Sequence, residues 1–167
     1  MLYSVTLIGD DLQPWYLATL AVAEQLYDSL IVWKSQGSIT VTSISQPFFS
    51  TFVSDISTGT YASGSSTFST LTSSIKTFAD SFAAIAAKYT PSNGGLSEQF
   101  DKNTGVPISA VDLTWSYASL LTSDMARNGV VSASWGASGL TVPSKCSTGP
   151  DPIAYTFNEY ATTQFGG

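Results

Sequence analysis

The sequence predicts an all-α fold in which helices lie in two concentric layers, as part of an α/α barrel. Three observations predict it. The stretch QPWYLATLAVAEQLYDSLIVWKSQG is helical and apolar on nearly all sides, TFSTLTSSIKTFADSFAAIAAKY is apolar on one side, and SAVDLTWSYASLL is again apolar on most sides. A helix that is apolar all round is covered on more than one face, whereas a one-sided helix is covered on one. The alternation therefore indicates inner and outer helices.

The first predicted helix begins near Pro14 and ends before Gly37. Proline suits the first helical turn, where its missing N–H costs nothing, and glycine is a natural residue just past the end of a helix. The apolar side chains form two sides rather than one stripe. One side holds Leu17, Leu20, Ala21 and Ile31, and the other holds Trp15, Val22, Leu26 and Trp33.

The middle of the chain predicts a short helix, a loop and a long one-sided helix. SQPFFSTFVSDI is the short helix, with Pro47 near its start, and TGTYASGSS is a loop by its glycine and serine content. In the long helix, apolar residues recur at spacings of three and four, which is typical of a packing face and not of a cofactor site. These residues are Phe68, Leu71, Ile75, Phe78, Phe82, Ile85 and Tyr89.

The last part of the chain predicts a third helix, a linker and a strand. Ser109 and Asp112 have the spacing of a capping box, with Asp112 as the helix cap. From Gly129 onward the residues are rich in turn formers and have no helical period. Tyr155 and Phe157 then alternate with polar residues, which indicates a β-strand.

Composition excludes several classes of function. The net charge is −6 with six basic residues, which argues against a nucleic-acid partner. The chain has no histidine, which excludes histidine-based catalysis and most zinc sites, and its one cysteine, Cys146, does not predict metal binding by itself. No apolar run reaches the roughly 18 residues of a membrane span, and the first residues, MLYSVTLIGDD, do not have the pattern of a signal peptide.

One glutamate has an unusual setting in a chain with 11% charged residues. Glu98 lies in the loop GGLSEQFDKNTG, after a glycine pair and before further polar loop residues. A solvated loop glutamate is one interpretation. A carboxylate held at a cleft to act on a substrate is the other, and the loop composition alone leaves both open.

The chain resembles the fungal glucoamylases, inverting exo-acting glucohydrolases of starch. The strings PWYLATLAVAEQLYD, SEQFDK, LTWSYA and ASWG occur in the order and spacing of that family and cover residues 14–146. The tail TFNEYATTQFG resembles the opening strand of the starch-binding module that often follows the catalytic domain. The boundaries that follow are an unmatched lead at 1–13, the C-terminal part of the catalytic domain at 14–140, a linker at 141–153 and a truncated start of the starch-binding module at 154–167.

The resemblance implies a partial (α/α)6 barrel with a short β segment at its end, and it implies roles for four residues. Glu98 is the general base that takes a proton from the attacking water. Gln99 supports the base in the cleft, and Trp115 forms an apolar wall near the cleaved glucose. Trp15 either lines the same cleft or packs in the core. Asp101 has no such counterpart, and we interpret it as a residue that hydrogen-bonds within its loop.

The resemblance also sets expectations about activity and setting. It implies hydrolysis of α-1,4 and, more slowly, α-1,6 bonds of starch and maltooligosaccharides with release of β-glucose, by a secreted monomer without a cofactor. The family's general acid lies in a Trp-Glu-Glu-like stretch that this chain does not contain, so we expect the chain to be inactive alone. Cys146 resembles a cysteine whose disulfide partner lies in the missing half. The alternatives are a non-catalytic truncated remnant that at most binds α-glucan, and an unrelated α/α-barrel protein.

Overall fold

The computed structural model describes residues 12–131, and its first element is the long helix α1, Tyr16–Gln36. Trp15 precedes the helix in an extended conformation, so the helix begins two residues after Pro14. Gly37 ends it in the left-handed conformation, at φ 71°, as predicted for a glycine past the last turn. The buried residues form a single stripe, which corrects the expected two apolar sides: Tyr16, Leu20, Ala23, Tyr27 and Leu30.

Helix α1 packs against two other helices, α3 (Ser66–Tyr89) and α4 (Thr114–Arg127). The side chain of Ser65 caps α3 by accepting a hydrogen bond of 3.2 Å from the backbone N–H of Phe68. The one-sided character of α3 is confirmed in most positions, but Phe78 is 42% exposed. The predicted third helix is confirmed as α4, but its burial was predicted wrongly, because its buried face consists of small residues: Ser116, Ser119, Ser123 and Ala126.

Two short strands and a short helix lie between α1 and α3. Strand β1, Ser38–Val41, pairs antiparallel with β2, Gly59–Ala62, and helix α2, Gln46–Ser50, lies between them with Pro47 in its first turn. The strands were not predicted, since glycine and serine around β2 favoured a loop. Ile39 and Val41 alternate with exposed Thr40 and are buried, so β1 contributes to the core by its period of two.

The buried residues form two clusters along α1. The larger surrounds Tyr27 and includes Leu71 and Ile75 of α3. The smaller surrounds Tyr16 and includes Leu96 and Phe100, which come from the loop after α3. One end of α1 is therefore packed against the segment that carries Glu98.

The all-α prediction is confirmed for the main elements, with short strands added. The last two strands of the described range, β3 (Gln99–Phe100) and β4 (Pro107–Ile108), form a second antiparallel pair. The predicted C-terminal strand, the linker at 141–153 and Cys146 lie outside the described residues.

Candidate active site

Glu98 lies on the middle segment of a short three-stranded arrangement. On one side, the backbone N–H of Tyr16 donates to the carbonyl of Glu98 (3.3 Å), and that of Phe100 donates to the carbonyl of Pro14 (3.0 Å). On the other side, the N–H of Glu98 donates to the carbonyl of Ala110 (2.8 Å). Glu98 is thus a partly exposed residue whose main chain is held from both sides, and not part of a freely solvated loop.

The carboxylate of Glu98 has a specific partner in Ser109. The hydroxyl of Ser109 donates a hydrogen bond to Oε2 of Glu98. This contact follows from the register of β3 and β4. Gln99 lies opposite Ile108 in the antiparallel pair, so Glu98, which precedes Gln99, lies opposite Ser109, which follows Ile108. The capping-box prediction for Ser109 is therefore wrong, and no sequence pattern within the loop indicated this contact.

Asp112 also has a different role from the predicted helix cap. It lies at φ 53° and accepts a hydrogen bond of 2.6 Å from the hydroxyl of Tyr117, while α4 begins only at Thr114. The same hydroxyl accepts a hydrogen bond of 3.0 Å from the N–H of Leu96. Asp112 and Tyr117 thus anchor the segment that leads to Glu98.

Gln99 and Trp15 are brought together by the backbone. The two residues form an antiparallel bridge, which places their side chains on a common face. Both are partly exposed, and Trp15 belongs to neither of the two buried clusters. Trp15 was interpreted either as a residue that lines the cleft or as a core residue, and its exposure does not favour a place in the core.

Trp115 lies in the first turn of α4 and is 63% exposed. The start of this helix is fixed to the segment before Glu98 by two hydrogen bonds. The N–H of Leu113 donates to the carbonyl of Leu96 (2.9 Å), and the hydroxyl of Ser116 donates to the carbonyl of Ser97 (2.8 Å). Trp115 is thus a large apolar side chain left accessible on an element that is tied to the Glu98 segment.

Asp101 forms the hydrogen bonds within its loop that we predicted. Its Oδ1 accepts from the backbone N–H of Thr104 (2.7 Å), from the hydroxyl of Thr104 (2.9 Å) and from the N–H of Asn103 (2.9 Å). The hydrogen bonds from Thr104 and Asn103 lower the pKa of Asp101. Through Oδ1, this carboxylate closes the turn between β3 and β4.

Two shallow concavities of the described part lie away from Glu98. One is lined by Glu24, Asp28 and Thr122 among others, and the second by Tyr27, Lys34 and Arg127 among others. Within residues 12–131, no cluster of three acidic, cysteine or histidine residues could hold a metal ion. No helix in that range is long and apolar enough to cross a membrane.

A partly exposed carboxylate on a fixed segment, with tryptophans on adjoining elements, is the arrangement of a candidate hydrolase site. Residues 7–124 match the family described as Glycosyl hydrolases family 15, and the chain belongs to this family of glycoside hydrolases. The resemblance seen in the sequence is thereby confirmed for the catalytic region, whereas the starch-binding segment stays a prediction.

Within that family, the chain is similar to glucoamylases. It is 55% identical over 159 residues to Glucoamylase-1 of Schizophyllum commune, covering 92% of this chain and 28% of the relative. It is 58% identical over 153 residues to a glucoamylase of Neurospora crassa, covering 91% of this chain and 24% of the relative. The chain spans about a quarter of the length of these relatives.

Solved structures agree with this assignment. The family 15 glucoamylase from Hypocrea jecorina has a TM-score of 0.72 and 54% identity, covering 81% of this chain and 23% of that one. The glucoamylase of Hormoconis resinae also has a TM-score of 0.72, with 42% identity, covering 86% of this chain and 25% of that one. The helices described above therefore have the arrangement of one part of a glucoamylase.

Proposed function

We propose that this chain is part of an enzyme that hydrolyses starch and maltooligosaccharides from chain ends. The reaction cleaves α-1,4 and, more slowly, α-1,6 glucosidic bonds with inversion, and it releases β-glucose. The identities of 55% and 58% to named glucoamylases support the substrate class. The hydrogen-bonded, partly exposed carboxylate of Glu98 is the observation that carries the assignment of a general base.

Inverting hydrolysis requires a base that accepts a proton from water while the water attacks the anomeric carbon. The hydroxyl of Ser109 donates to Oε2 of Glu98 and so orients the carboxylate. A base must be within hydrogen-bond reach of the proton it abstracts, and the backbone bonds on both sides of Glu98 support a fixed position.

Three further residues serve substrate binding in this proposal. Sugar sites are lined by aromatic side chains with a few polar groups that set orientation. Trp115, exposed at the start of α4, provides an apolar wall for the cleaved glucose. Gln99 and Trp15, which share a face of the segment that carries Glu98, provide a polar and an aromatic group for the sugar.

The general acid comes from a part of the enzyme that this chain does not supply. The glutamates of the described residues are Glu24 and Glu98. Glu24 lies in α1 and accepts a hydrogen bond of 2.6 Å from the hydroxyl of Thr122, and it lines one of the concavities away from Glu98. We infer that the isolated chain releases no glucose and at most binds α-glucan.

The remaining parts of the proposal concern organisation and setting. Residues 14–140 belong to the catalytic domain, 141–153 form a linker, and 154–167 begin a starch-binding module. The complete enzyme acts outside the cell as a monomer and needs no cofactor.

A chimera tests the function of these residues. This chain replaces the matching part of Glucoamylase-1 of Schizophyllum commune, and glucose release from maltose is measured for the chimera and for its Glu98→Gln variant. Glutamine keeps the shape but cannot accept a proton, so kcat is expected to fall by about 10²–10⁴-fold while KM changes little. Early product analysed by NMR is expected to be β-glucose.

Glu24→Gln in the same chimera is the matched control, because it makes the same chemical change on a helix away from the Glu98 segment. Its turnover is expected to stay within a fewfold of the unchanged chimera. An inactive unchanged chimera, or a Glu98→Gln variant with turnover like that of Glu24→Gln, contradicts the assignment. In that case Glu98 is a structural residue.

A further inference from the structure

Three aromatic rings pack beneath the segment that carries Glu98. The ring of Phe100 lies 5.0 Å from that of Tyr16, edge to face, and 4.8 Å from that of Tyr89, stacked. Tyr16 is fully buried and Phe100 is 3% exposed. We call these three residues the aromatic clamp. Such ring pairs stabilise by more than their buried area alone, so Phe100 has a defined place between the two tyrosines.

A hydrogen bond closes the clamp. The hydroxyl of Tyr16, the first residue of α1, donates to the backbone carbonyl of Tyr89, the last residue of α3. The last four carbonyls of a helix accept no hydrogen bond within the helix. A buried carbonyl that finds no donor elsewhere destabilises the fold. The Tyr16 hydroxyl satisfies one of them, and it joins the ends of two helices on either side of Phe100.

The clamp is continuous with the backbone of Glu98. Tyr16 also donates its N–H to the carbonyl of Glu98, and Phe100, two residues after Glu98, donates its N–H to Pro14. The turn after Phe100 packs closely against the ring of Tyr89, because a Cβ on Gly105 would lie 2.1 Å from that ring. A displacement of either tyrosine therefore moves the main chain on which Glu98 is built.

We propose that Tyr16 and Tyr89 are positioning residues for Glu98. They do not touch the reacting atoms; they hold the main chain of Glu98 at a fixed distance from the ends of α1 and α3. Catalytic groups need to be held within about 0.5 Å of their productive place, and locked neighbouring side chains provide this. The importance of this positioning for catalysis rests on the proposed function of Glu98 as the base. The positioning of the Glu98 main chain can itself be measured without any activity.

The experiment compares two deletions of a hydroxyl from the same helix. Tyr16→Phe removes the bond to Tyr89, and Tyr27→Phe removes the bond of 2.7 Å to Asp80 in the other cluster. Both keep the ring. The complete chain is labelled for NMR, and two quantities are measured: amide hydrogen exchange along the chain, and the ¹³C signal of the Glu98 side-chain carboxyl.

Tyr16→Phe is expected to speed exchange of the Glu98 and Phe100 amides by about tenfold or more relative to the Ile75 amide, since only the local segment opens more often. The carboxyl signal of Glu98 is expected to move toward that of an unstructured glutamate. Tyr27→Phe is expected to leave the Glu98 signal in place and to change exchange at Glu98 no more than at Ile75. Equal effects of the two variants overturn the proposal.

Two measurements keep the proposal testable if Tyr16→Phe does not fold. Tyr89→Leu removes the ring stack from the other side and is expected to give the same local pattern. In the unchanged chain, exchange at increasing denaturant is expected to show the amides of Tyr16, Glu98 and Phe100 opening together. If these three amides instead exchange through openings that differ in free energy, the proposal is overturned. A confirmed clamp with an unaffected Glu98→Gln chimera would instead refute only the role of Glu98 as base.

Discussion

The hydroxyl of Tyr27 in α1 donates a hydrogen bond of 2.7 Å to the carboxylate of Asp80 in α3. Arg127 of α4 reaches the same carboxylate through Nε at 2.9 Å, and Lys76 of α3 reaches it through Nζ at 2.8 Å. One aspartate therefore joins the three long helices. Burial raises the pKa of Asp80, but the hydrogen bonds from Lys76, Tyr27 and Arg127 outweigh it and lower the pKa to about 2.

We expect Asp80 to make folding sensitive to acid. Because its pKa falls from 3.8 to about 2 on folding, its contribution is complete above pH 4 and is lost as the pH falls toward 2. The shift corresponds to roughly 2 kcal/mol, and screening of a side chain that is 35% exposed reduces this to about 1 kcal/mol. Asp80→Asn is expected to lower the free energy of unfolding by that amount at pH 6 and by much less at pH 2, measured in urea. An equal loss at both pH values would refute the charge-based origin.

Tyr27 is expected to control stability at the opposite end of the pH scale. Burial, followed by the hydrogen bond to Asp80 and its charge, raises the pKa of Tyr27 to about 12. A raised pKa gives a contribution that is complete below pH 10 and is lost as the pH rises toward 12. The unchanged chain should lose on the order of 2 kcal/mol of stability over that interval from this group. Tyr27→Phe should remove that part of the pH dependence, and equal alkaline slopes for the two proteins would exclude Tyr27 as its source.

Gly105→Ala is expected to destabilise the chain by about 2–4 kcal/mol, because a β-carbon is disfavoured at φ 75° and would also overlap the Tyr89 ring. Gly94→Ala is the matched control. It has nearly the same φ, 78°, but no atom lies within 4 Å of the added carbon, so it should cost only about 1 kcal/mol. Urea unfolding of both variants measures the difference. Equal costs would show that the contact with Tyr89 is unimportant.

Ser109→Ala is expected to lower kcat of the chimera by about 3–30-fold, because it removes a charge-assisted hydrogen bond that orients Glu98. Ser109→Gly removes the same hydroxyl but suits the backbone at φ 67° better than alanine does. The two variants should therefore have similar kcat and different stability, with glycine the more stable. If kcat follows stability instead, the backbone of Ser109 matters and its hydroxyl does not.

The helices could be predicted from the sequence because their signals are local. The spacing of Phe68, Leu71 and Ile75 and the position of Gly37 each depend on a few neighbouring residues. The strands and the surroundings of Glu98 could not, because they depend on partners far away in the chain. Tyr16 and Tyr89 are 73 residues apart, and nothing near either residue indicates their contact.

The same separation has a consequence for how the molecule is assembled. The segment of Glu98 is hydrogen-bonded to residues at the start of α1 and to residues after β3. These bonds cannot form until the chain has been synthesised beyond β4 and α1 has packed against α3. Closing so long a loop is slow compared with forming a helix. We expect the amide of Ile75 to become protected during refolding before that of Phe100, and pulsed hydrogen exchange measures this order. Glu98 would then be among the last residues to reach its place, so an incompletely folded chain lacks the hydrogen bonds that hold its main chain from both sides.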